Sequence, residues 1–172
     1  MEHLEIERKF LLKSLPSIEP DDKVRIDQFY WKNKQGTWER ARTWFSNKDG
    51  NKYIHTIKKS ISKGVNLENE REMTHEEFSS FKNRCHQPNQ DSKFISKERW
   101  IYKDGPLKWE VDIFNNGYSL IVAEIELPKK RHQIKFPKFI EEVKLMEVTG
   151  KKQFSNRSLS LKINNSVINI NS

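Results

Sequence analysis

Cysteine and long apolar runs are what this sequence most clearly lacks. Its 172 residues include one cysteine, Cys85, which excludes an intramolecular disulfide framework and a cysteine-rich zinc site. No apolar stretch approaches the length of a membrane span, and the first residues lack the apolar core of a secretory signal peptide. We therefore expect a cytoplasmic protein with no membrane partner.

Apolar residues are also scarce, at 34% of the chain, whereas charged residues make up 33%. Disordered chains share this balance, but an aromatic content of 11% predicts a packed core. The length suits one ordinary domain, so we expect a single domain over residues 1–172 whose polar end, at about 157–172, is loosely ordered. The net charge of +8 favours anionic partners such as phosphates, nucleotides or nucleic acid.

Residues 4–11 have the alternating pattern of a β-strand, and one face of this predicted strand carries charged side chains. Alternation with a period of two places Glu5, Glu7 and Lys9 together on one face of a strand. An ordinary half-buried strand instead turns an apolar face to the core. A single strand of this kind is typical of a sheet edge that uses charge to avoid unwanted pairing, so its meaning depends on whether later strands repeat the pattern.

Later predicted strands also carry charged side chains on one face. Among the turns that connect them, Asp49-Gly50 is the strongest indication of a β-hairpin. The charged side chains that lie on such strand faces in the rest of the sequence are Arg40, Arg42, Lys58, Glu70, Glu72, Lys97, Arg99, Glu110, Asp112, Glu124 and Glu126. Such repetition indicates faces that look at one another across a closed polar interior. Because unpaired charges in a dry interior cost several kcal/mol each, that interior must be wet or filled.

A polyanion together with a divalent cation would fill such an interior. Phosphate groups account for the basic side chains, because arginine binds phosphate in a bidentate way and lysine acts as a point charge. Mg²⁺ accounts for the acids, because it prefers oxygen ligands and substrate phosphates. The residues therefore predict a site for a phosphate compound and a hard metal ion.

One segment departs from the strand period. Residues 74–77 form a capping-box pattern, after which Phe78, Phe81 and Cys85 make a narrow apolar stripe at helical spacing. The stripe predicts a helix that packs on the sheet, with Cys85 as a buried thiol rather than a reactive one.

Taken in order, these motifs resemble the CYTH family of triphosphate tunnel metalloenzymes, and the short bacterial members most. The motifs cover nearly the whole chain and are Glu5-x-Glu7-x-Lys9, Gln28-x-Tyr30, Arg40-x-Arg42, Thr56-x-Lys58, Glu70-x-Glu72, Lys97-x-Arg99, Trp109-x-x-Asp112, Glu124-x-Glu126, Glu147-Val148-Thr149-Gly150 and Phe154-Ser155-Asn156. The resemblance implies a mainly β, α+β fold with a closed eight-stranded antiparallel β-barrel, the triphosphate tunnel, and flanking helices. It also implies an enzyme that hydrolyses or rearranges triphosphate compounds with Mg²⁺ or Mn²⁺.

The resemblance implies a role for each matching residue. The triphosphate ligands would be Lys9, Arg40, Arg42, Lys58, Lys97 and Arg99. The metal ion would be held, directly or through water, by Glu5, Glu7, Asp112, Glu124 and Glu126. The supporting acids would be Glu70, Glu72 and Glu110. Glu5, Glu7 and Lys9 form the candidate catalytic group, in which one carboxylate helps to orient the attacking water.

Two places depart from the family pattern. Glu68 stands where the family often has a basic residue, two positions before the Glu70 pair, which puts one phosphate contact in doubt. The segment after Asn156 also differs, so a closing helix there is not assured. The first departure bears on which triphosphate the protein prefers.

Three functions of different classes remain open from the sequence. The first is metal-dependent hydrolysis of inorganic, nucleoside or thiamine triphosphate. The second is cyclisation of ATP to cyclic AMP, as in the class IV adenylate cyclases of the same superfamily, although no residue pattern assigns an adenine site. The third is a non-enzymatic module that binds RNA or polyphosphate, which the net charge and Trp31, Trp38 and Trp44 would suit.

The carboxylates decide between these interpretations. Eight acids on ordered strand faces would repel a nucleic-acid backbone unless metal ions intervened, so we do not expect a nucleic-acid partner. Hydrolysis of a small-molecule triphosphate is the favoured interpretation, with the cyclase as the alternative. The sequence does not fix the oligomeric state.

Overall fold

The computed structural model describes residues 2–115 and 119–163. Its strands are β1 (Glu2–Leu12), β2 (Asp22–Lys32), β3 (Trp38–Ser46), β4 (Gly50–Ser62), β5 (Val65–Met73), β6 (Ser92–Asp104), β7 (Leu107–Phe114), β8 (Ile121–Glu126), β9 (Lys144–Glu147) and β10 (Leu161–Lys162). The helices are α1 (His75–Cys85), α2 (Lys138–Glu141) and α3 (Asn156–Leu159), with a 3₁₀ turn at Lys152–Phe154. Strands therefore dominate the described chain, as predicted.

Eight of the strands close into an antiparallel barrel. Their order is β6-β2-β3-β4-β5-β1-β8-β7, and β7 pairs back with β6. Short turns link most neighbours, and the β4–β5 turn requires glycine because Gly64 has a φ of +69° and a Cβ there would lie 2.6 Å from the Glu7 carbonyl oxygen. The predicted closed eight-stranded antiparallel barrel is confirmed.

β1 holds the barrel closed through three partners. Its first half, residues 2–6, pairs with β5, and its second half, residues 7–12, pairs with β8. β9 lies on the other side of that second half and pairs with residues 10–12. The charged strand at the start of the sequence is thus an interior member of the sheet over most of its length, not an exposed edge.

Two apolar cores lie on the outer face of the barrel and are covered from outside. Phe78, Phe81 and Cys85 of α1 pack on Phe29 and Ala41 of the strands below. The capping box of this helix is present, with the Thr74 hydroxyl and the Glu77 carboxylate each bonded to the other residue's backbone N–H. The predicted helix and its buried thiol are confirmed.

A second outer layer covers the opposite side of the barrel. Phe10, Trp109 and Ile125 form the centre of a larger apolar core there, and Ile140 of α2 packs against it. Because side chains alternate between the two faces of a strand, the inward positions carry the charged residues together with a third, smaller apolar cluster. Its members are Val24, Ile26, Trp44, Ile54 and Ile101. The interior of the barrel is therefore lined partly by apolar side chains and largely by charged ones.

The end of the described chain lies against the barrel. Leu159 of α3 packs on Ile95 and Phe114, and β10 pairs with the start of β6. Residues 164–172, which make up most of the predicted loose tail, lie outside the described residues. The expectation of a single domain over the whole chain stays a prediction. In the described part of the chain, no helix has the length and apolar character needed to cross a membrane.

Candidate functional site

The barrel encloses a cavity of about 960 Å³. Eleven lysines and arginines and eight acidic residues line it, so its wall is positive overall and suits an anion. The predicted site residues in this wall are Glu5, Glu7, Lys9, Arg40, Arg42, Lys58, Glu70, Arg99, Glu110, Glu124 and Glu126. Lys97 and Asp112 lie behind the wall, where both are fully buried, and Glu72 is exposed near the end of β5.

Strand register explains why these residues converge. On β3 the inward face carries Arg40 and Arg42, which lie opposite Thr56 and Ile54 of β4. On β1, Lys9 lies opposite Glu124 of β8. Each pair brings residues from two different strands next to each other at the same height in the barrel. The charged residues of neighbouring strands therefore become neighbours in space.

The first group of charges is the Lys58 cluster, formed by Glu5, Glu7, Lys58 and Glu68. The Lys58 ammonium contacts Glu5, lies 3.3 Å from Glu68 Oε1 and lies 3.5 Å from Glu7 Oε2. Burial alone would lower the pKa of Lys58, but the three carboxylates outweigh it and hold that pKa well above its usual range. Within the cluster one cation faces three acids, and Arg40, 3.9 Å from Glu68, is a further cation in contact with it, so the acids still outnumber the cations.

The excess of negative charge affects the pKa of Glu7. Its pKa is raised, first by burial and then by the nearby carboxylates of Glu124 and Glu5, which Lys58 and Lys9 only partly offset. Lys9 itself forms a 2.7 Å ion pair with Glu124. An acid with a raised pKa among other acids marks a position where additional positive charge would be stabilising.

The two β3 arginines have unused hydrogen-bonding capacity. Arg40 Nη2 donates to Thr56 Oγ1 at 3.0 Å, and Arg42 Nη2 donates to Glu70 Oε2 at 3.2 Å. The Nε groups of both arginines are buried without a hydrogen-bond partner among the described residues. Burial and the neighbouring Arg40 lower the pKa of Arg42 to about 10. Paired guanidinium groups with spare donors are suited to an anion with several oxygen atoms.

The second group is the Asp112 cluster, formed by Lys97, Arg99 and Asp112. Arg99 binds Asp112 through two bonds, from Nε at 2.7 Å and from Nη2 at 2.8 Å, and Lys97 Nζ lies 2.5 Å from Asp112 Oδ2. Arg99 also contacts Glu110 and lies 3.2 Å from Glu124. Burial lowers the pKa of Lys97 to about 8, although Asp112 opposes the shift. Each charge here already has a partner.

Glu68 of the Lys58 cluster and the neighbouring Asn66 were not predicted as site residues. Glu68, noted only as a departure from the family pattern, is buried and lies 3.9 Å from Arg40 as well as 3.3 Å from Lys58. Asn66 donates to Glu5 at 2.9 Å. Glu68 continues the Glu-x-Glu spacing and could have been identified from it, whereas the neutral Asn66 gives no signal in the sequence.

The two ends of the cavity differ in charge. β4 runs along the whole cavity, from Lys52 at one end to Ser62 at the other. The acidic end, near the β3–β4 turn, is lined by Asp49, Glu70, Glu110 and Glu126 together with Lys52 and Lys108. The basic end, near the β4–β5 turn, is lined by Lys63, Lys151, Lys152 and Arg157. The basic end was not predicted, because these residues lie in loops and a short helix rather than on strands.

The donor set fits a hard divalent cation in its chemistry. Among the described residues, no three acidic or imidazole groups already converge as a ready metal site. The carboxylates of Glu5 and Glu124 are nevertheless close enough to Glu7 to raise its pKa, and carboxylate oxygens are the ligands that Mg²⁺ and Mn²⁺ prefer. Lysine ammonium groups neutralise these acids in the structure, so a metal ion would share or replace that role.

Solved structures resemble the chain, although no protein-family model matches it and none of the curated proteins matches its sequence. The structure of the inorganic triphosphatase NE1496 is 22% identical in sequence to this chain. The match covers 93% of this chain and 95% of the NE1496 chain, with a TM-score of 0.54. A proposed adenylate cyclase from Bacillus halodurans is 15% identical over 82% of this chain and 97% of its own, with a TM-score of 0.51. The PH1012 protein from Pyrococcus horikoshii is 20% identical over 73% of this chain and 79% of its own, with a TM-score of 0.52. These likenesses show a shared fold, and in fold the chain matches what its resemblance to the CYTH family implies.

Proposed function

We propose that the protein is a metal-dependent hydrolase of triphosphate compounds, with inorganic triphosphate as the favoured substrate. The observation that carries this proposal is the cavity wall, in which the guanidinium groups of Arg40 and Arg42 lie beside the Lys58 cluster. Their Nε donors have no partner among the described residues, and the carboxylates of that cluster outnumber the cations in contact with it. A triphosphate supplies oxygen atoms to the first group. A divalent cation bound to that triphosphate supplies positive charge to the second.

The residues that touch the cavity divide into two sets of ligands. Phosphate oxygens would be bound by Lys9, Arg40, Arg42, Lys58 and Arg99, all of which line the cavity. We propose that Lys97 acts behind them, because its fully buried ammonium is held by Asp112 and reaches no cavity surface. This placement makes Lys97 a support for Arg99 instead of a direct ligand.

The metal ion would be held by the acids that line the cavity, namely Glu5, Glu7, Glu124 and Glu126. Such an ion neutralises charge on the phosphate oxygens and lowers the pKa of water near it. We propose that Asp112, a predicted metal ligand, acts behind these acids, because it is buried and pairs with Arg99 through two bonds. The raised pKa of Glu7, caused by burial and nearby carboxylates, suits a carboxylate that accepts a proton from the attacking water.

Product analysis tests the proposal. The purified protein is incubated with tripolyphosphate, ATP or thiamine triphosphate in the presence of Mg²⁺ or Mn²⁺, and the products are separated. Release of orthophosphate from tripolyphosphate is the expected result. Formation of cyclic AMP and pyrophosphate from ATP would instead support the cyclase, and the absence of turnover with all three substrates and both metals would refute the enzyme.

A matched pair of variants links that activity to the cavity. Glu126 lines the acidic end, and burial raises its pKa, with no cation of the described residues in ion-pair contact. Glu126→Gln keeps the shape of the side chain and removes the charge, so turnover should fall about a hundredfold without unfolding. Glu142→Gln, at an exposed position outside the barrel, is the control. Equal activity in both variants would remove Glu126 from the site.

A further inference from the structure

The segment that follows β9 lines one side of the cavity at its basic end. It contributes Asn156 and Arg157, both from α3, to the cavity wall. Lys9, a proposed phosphate ligand, reaches the same segment, because its Nζ lies 3.5 Å from the carbonyl oxygen of Phe154. Asn156 therefore lies in the part of the wall where a phosphate is expected, although it has no role in the proposed function.

The side-chain amide of Asn156 is held in one orientation by Lys97. The Nζ of Lys97 lies 3.3 Å from Asn156 Oδ1 and also binds Asp112. An ammonium group donates hydrogen bonds and accepts none, so it can face the oxygen of the amide but not the nitrogen. The planar amide then holds Nδ2 on the side away from Lys97.

The Nδ2 group of Asn156 has two protons to donate. Among residues 2–115 and 119–163, no acceptor lies within hydrogen-bonding distance of it. Asn156 is half-buried and lines the cavity, while its oxygen is turned to the fully buried Lys97, so the free donors face the cavity. A donor that faces a binding cavity and has no partner in the protein is available to an oxygen atom of a ligand.

The backbone of Asn156 is fixed as well. Its carbonyl oxygen accepts a 2.6 Å hydrogen bond from the hydroxyl of Ser160. Three residues after Asn156, Leu159 packs against Ile95 and Phe114 of the barrel. A donor that is held in place before the ligand arrives loses little freedom on binding, so its contact contributes more to affinity. Asn156 is thus a preorganised donor.

Lys97 connects Asn156 to a second residue of the cavity wall. It contacts Asp112, which Arg99 binds through two bonds. Arg99 and Asn156 both line the cavity, whereas Lys97 and Asp112 are fully buried behind it. The buried pair therefore holds one charged donor and one neutral donor in the same wall.

We infer that Asn156 is a further substrate-binding residue, whose Nδ2 group donates a hydrogen bond to a phosphate oxygen of the triphosphate. The inference rests on the proposed function, because it takes a triphosphate as the compound that fills the cavity. A hydrogen bond to a charged oxygen is stronger than one between neutral groups, so a single amide can contribute measurably to affinity. This contact makes the segment after β9 a part of the binding site.

Two substitutions separate this contact from the support of Lys97. Asn156→Ala removes both the oxygen that faces Lys97 and the amide donors, whereas Asn156→Asp keeps an oxygen for Lys97 and loses the donors. The probe is a tripolyphosphate analogue with methylene groups in place of the bridging oxygens, which cannot be cleaved. Calorimetry with this analogue and Mg²⁺ should show affinity about tenfold lower for Asn156→Ala and at least as low for Asn156→Asp.

Melting temperatures complete the comparison. Asn156→Ala should melt about 2 to 4 °C below the wild type, because one hydrogen bond is lost. Asn156→Asp should melt no lower than the wild type, because its carboxylate forms an ion pair with Lys97. The two variants would then differ in stability but share the loss of affinity. That combination is expected of a lost ligand contact and not of a lost support.

NMR reads the contact directly. In the ¹⁵N-labelled protein, the side-chain amide signals of Asn156 are those that disappear in Asn156→Asp. Addition of the analogue and Mg²⁺ should move one of the two amide protons downfield, as a new hydrogen bond to a phosphate oxygen requires. Amide signals that stay in place while the analogue binds would overturn the inference.

The control and the contrary outcomes separate this inference from the proposed function. Asn83→Ala removes an exposed amide of α1, outside the barrel, and should bind the analogue as the wild type does. Wild-type affinity in Asn156→Ala, or its recovery in Asn156→Asp, would overturn the inference, and orthophosphate release from tripolyphosphate would still leave the hydrolase standing. Loss of affinity in both variants of a protein that cleaves no triphosphate would support the contact and count against the proposed function.

Discussion

The Asp112 cluster and the Lys58 cluster lie in the same barrel but differ in how completely their charges are paired. In the Asp112 cluster, one carboxylate with no exposed surface receives three short bonds from two cations. In the Lys58 cluster, one ammonium with 31% of its side chain exposed faces three carboxylates. The first arrangement is complete by itself, whereas the second needs added positive charge.

This difference separates the residues that maintain the barrel from the residues that act in it. A buried charge without its partner is very costly, so the members of a closed cluster are tied to folding. A cluster that faces a wet cavity and has an excess of one sign is under strain that a ligand can relieve. Charged residues with the same spacing in the sequence can therefore have opposite effects when they are replaced.

The largest expected effect comes from breaking the closed cluster. Asp112→Asn keeps the size of the side chain but leaves the buried Lys97 and Arg99 without their shared anion, so the free energy of unfolding should fall by about 3 to 5 kcal/mol. Urea denaturation followed by tryptophan fluorescence measures the change. Glu142→Gln, which alters an exposed acid, serves as the control. A loss below about 1 kcal/mol, in the range of an exposed ion pair, would show that this cluster does not maintain the fold.

The next largest effect is expected for Glu7→Gln, which should lower activity without lowering stability. Glu7→Gln removes one of the excess carboxylates from the Lys58 cluster, so the variant without metal should be at least as stable as the wild type. Its turnover of tripolyphosphate should nevertheless fall about a hundredfold, because a metal ligand or proton acceptor is lost. Thermal denaturation and phosphate release measure the two properties. A variant that is less stable but fully active would show that the Lys58 cluster maintains the fold and does not act in catalysis.

The smallest effect concerns pH and the two lysines at the centres of the clusters. Burial lowers the pKa of Lys97 from 10.5 to about 8. Between these values the unfolded chain binds a proton that the native chain does not, so this lysine makes the free energy of unfolding rise with pH. Lys58 has a raised pKa, so its contribution is fully present below the unfolded value of 10.5 and is lost as the pH rises from there through its higher folded pKa.

Denaturation at several pH values measures this contrast. From about pH 8 to about pH 10, the wild type should gain on the order of 2 kcal/mol relative to Lys97→Met, because the variant lacks the titrating group. Lys58→Met should follow the pH dependence of the wild type over the same interval. Parallel curves for the wild type and Lys97→Met would show that Lys97 titrates near its ordinary value.

Much of the barrel could be predicted because its signal is local. Alternation with a period of two depends only on neighbouring residues, and seven strands repeat it, so the inward charges of β1 and β3 were identified without knowledge of their partners. The helix α1 was predictable for the same reason, since the capping residues Thr74 and Glu77 are three positions apart.

The sequence could not predict which inward charges reach the cavity. Lys97 and Arg99 share one strand face, but Arg99 lines the cavity and Lys97 is buried behind it. Depth in a barrel depends on how neighbouring strands are staggered and on what covers their ends, and here α3 packs on Ile95 beside Lys97. The basic end was missed because Lys63 and Lys151 are brought together by the contact of two loops, at Gly150, that lie far apart in sequence.

The three partners of β1 have a consequence for how the chain folds. β2 to β5 are joined by short turns and can form hairpins as soon as they are synthesised, whereas residues 7–12 of β1 must wait for β8 and β9, more than a hundred residues later. Contacts between such distant segments slow folding, because the intervening chain has to be ordered first. Until then, half of the first strand has unpaired backbone groups. Glu7 and Lys9 on that half also keep it soluble, because charged side chains discourage pairing with the strands of other molecules.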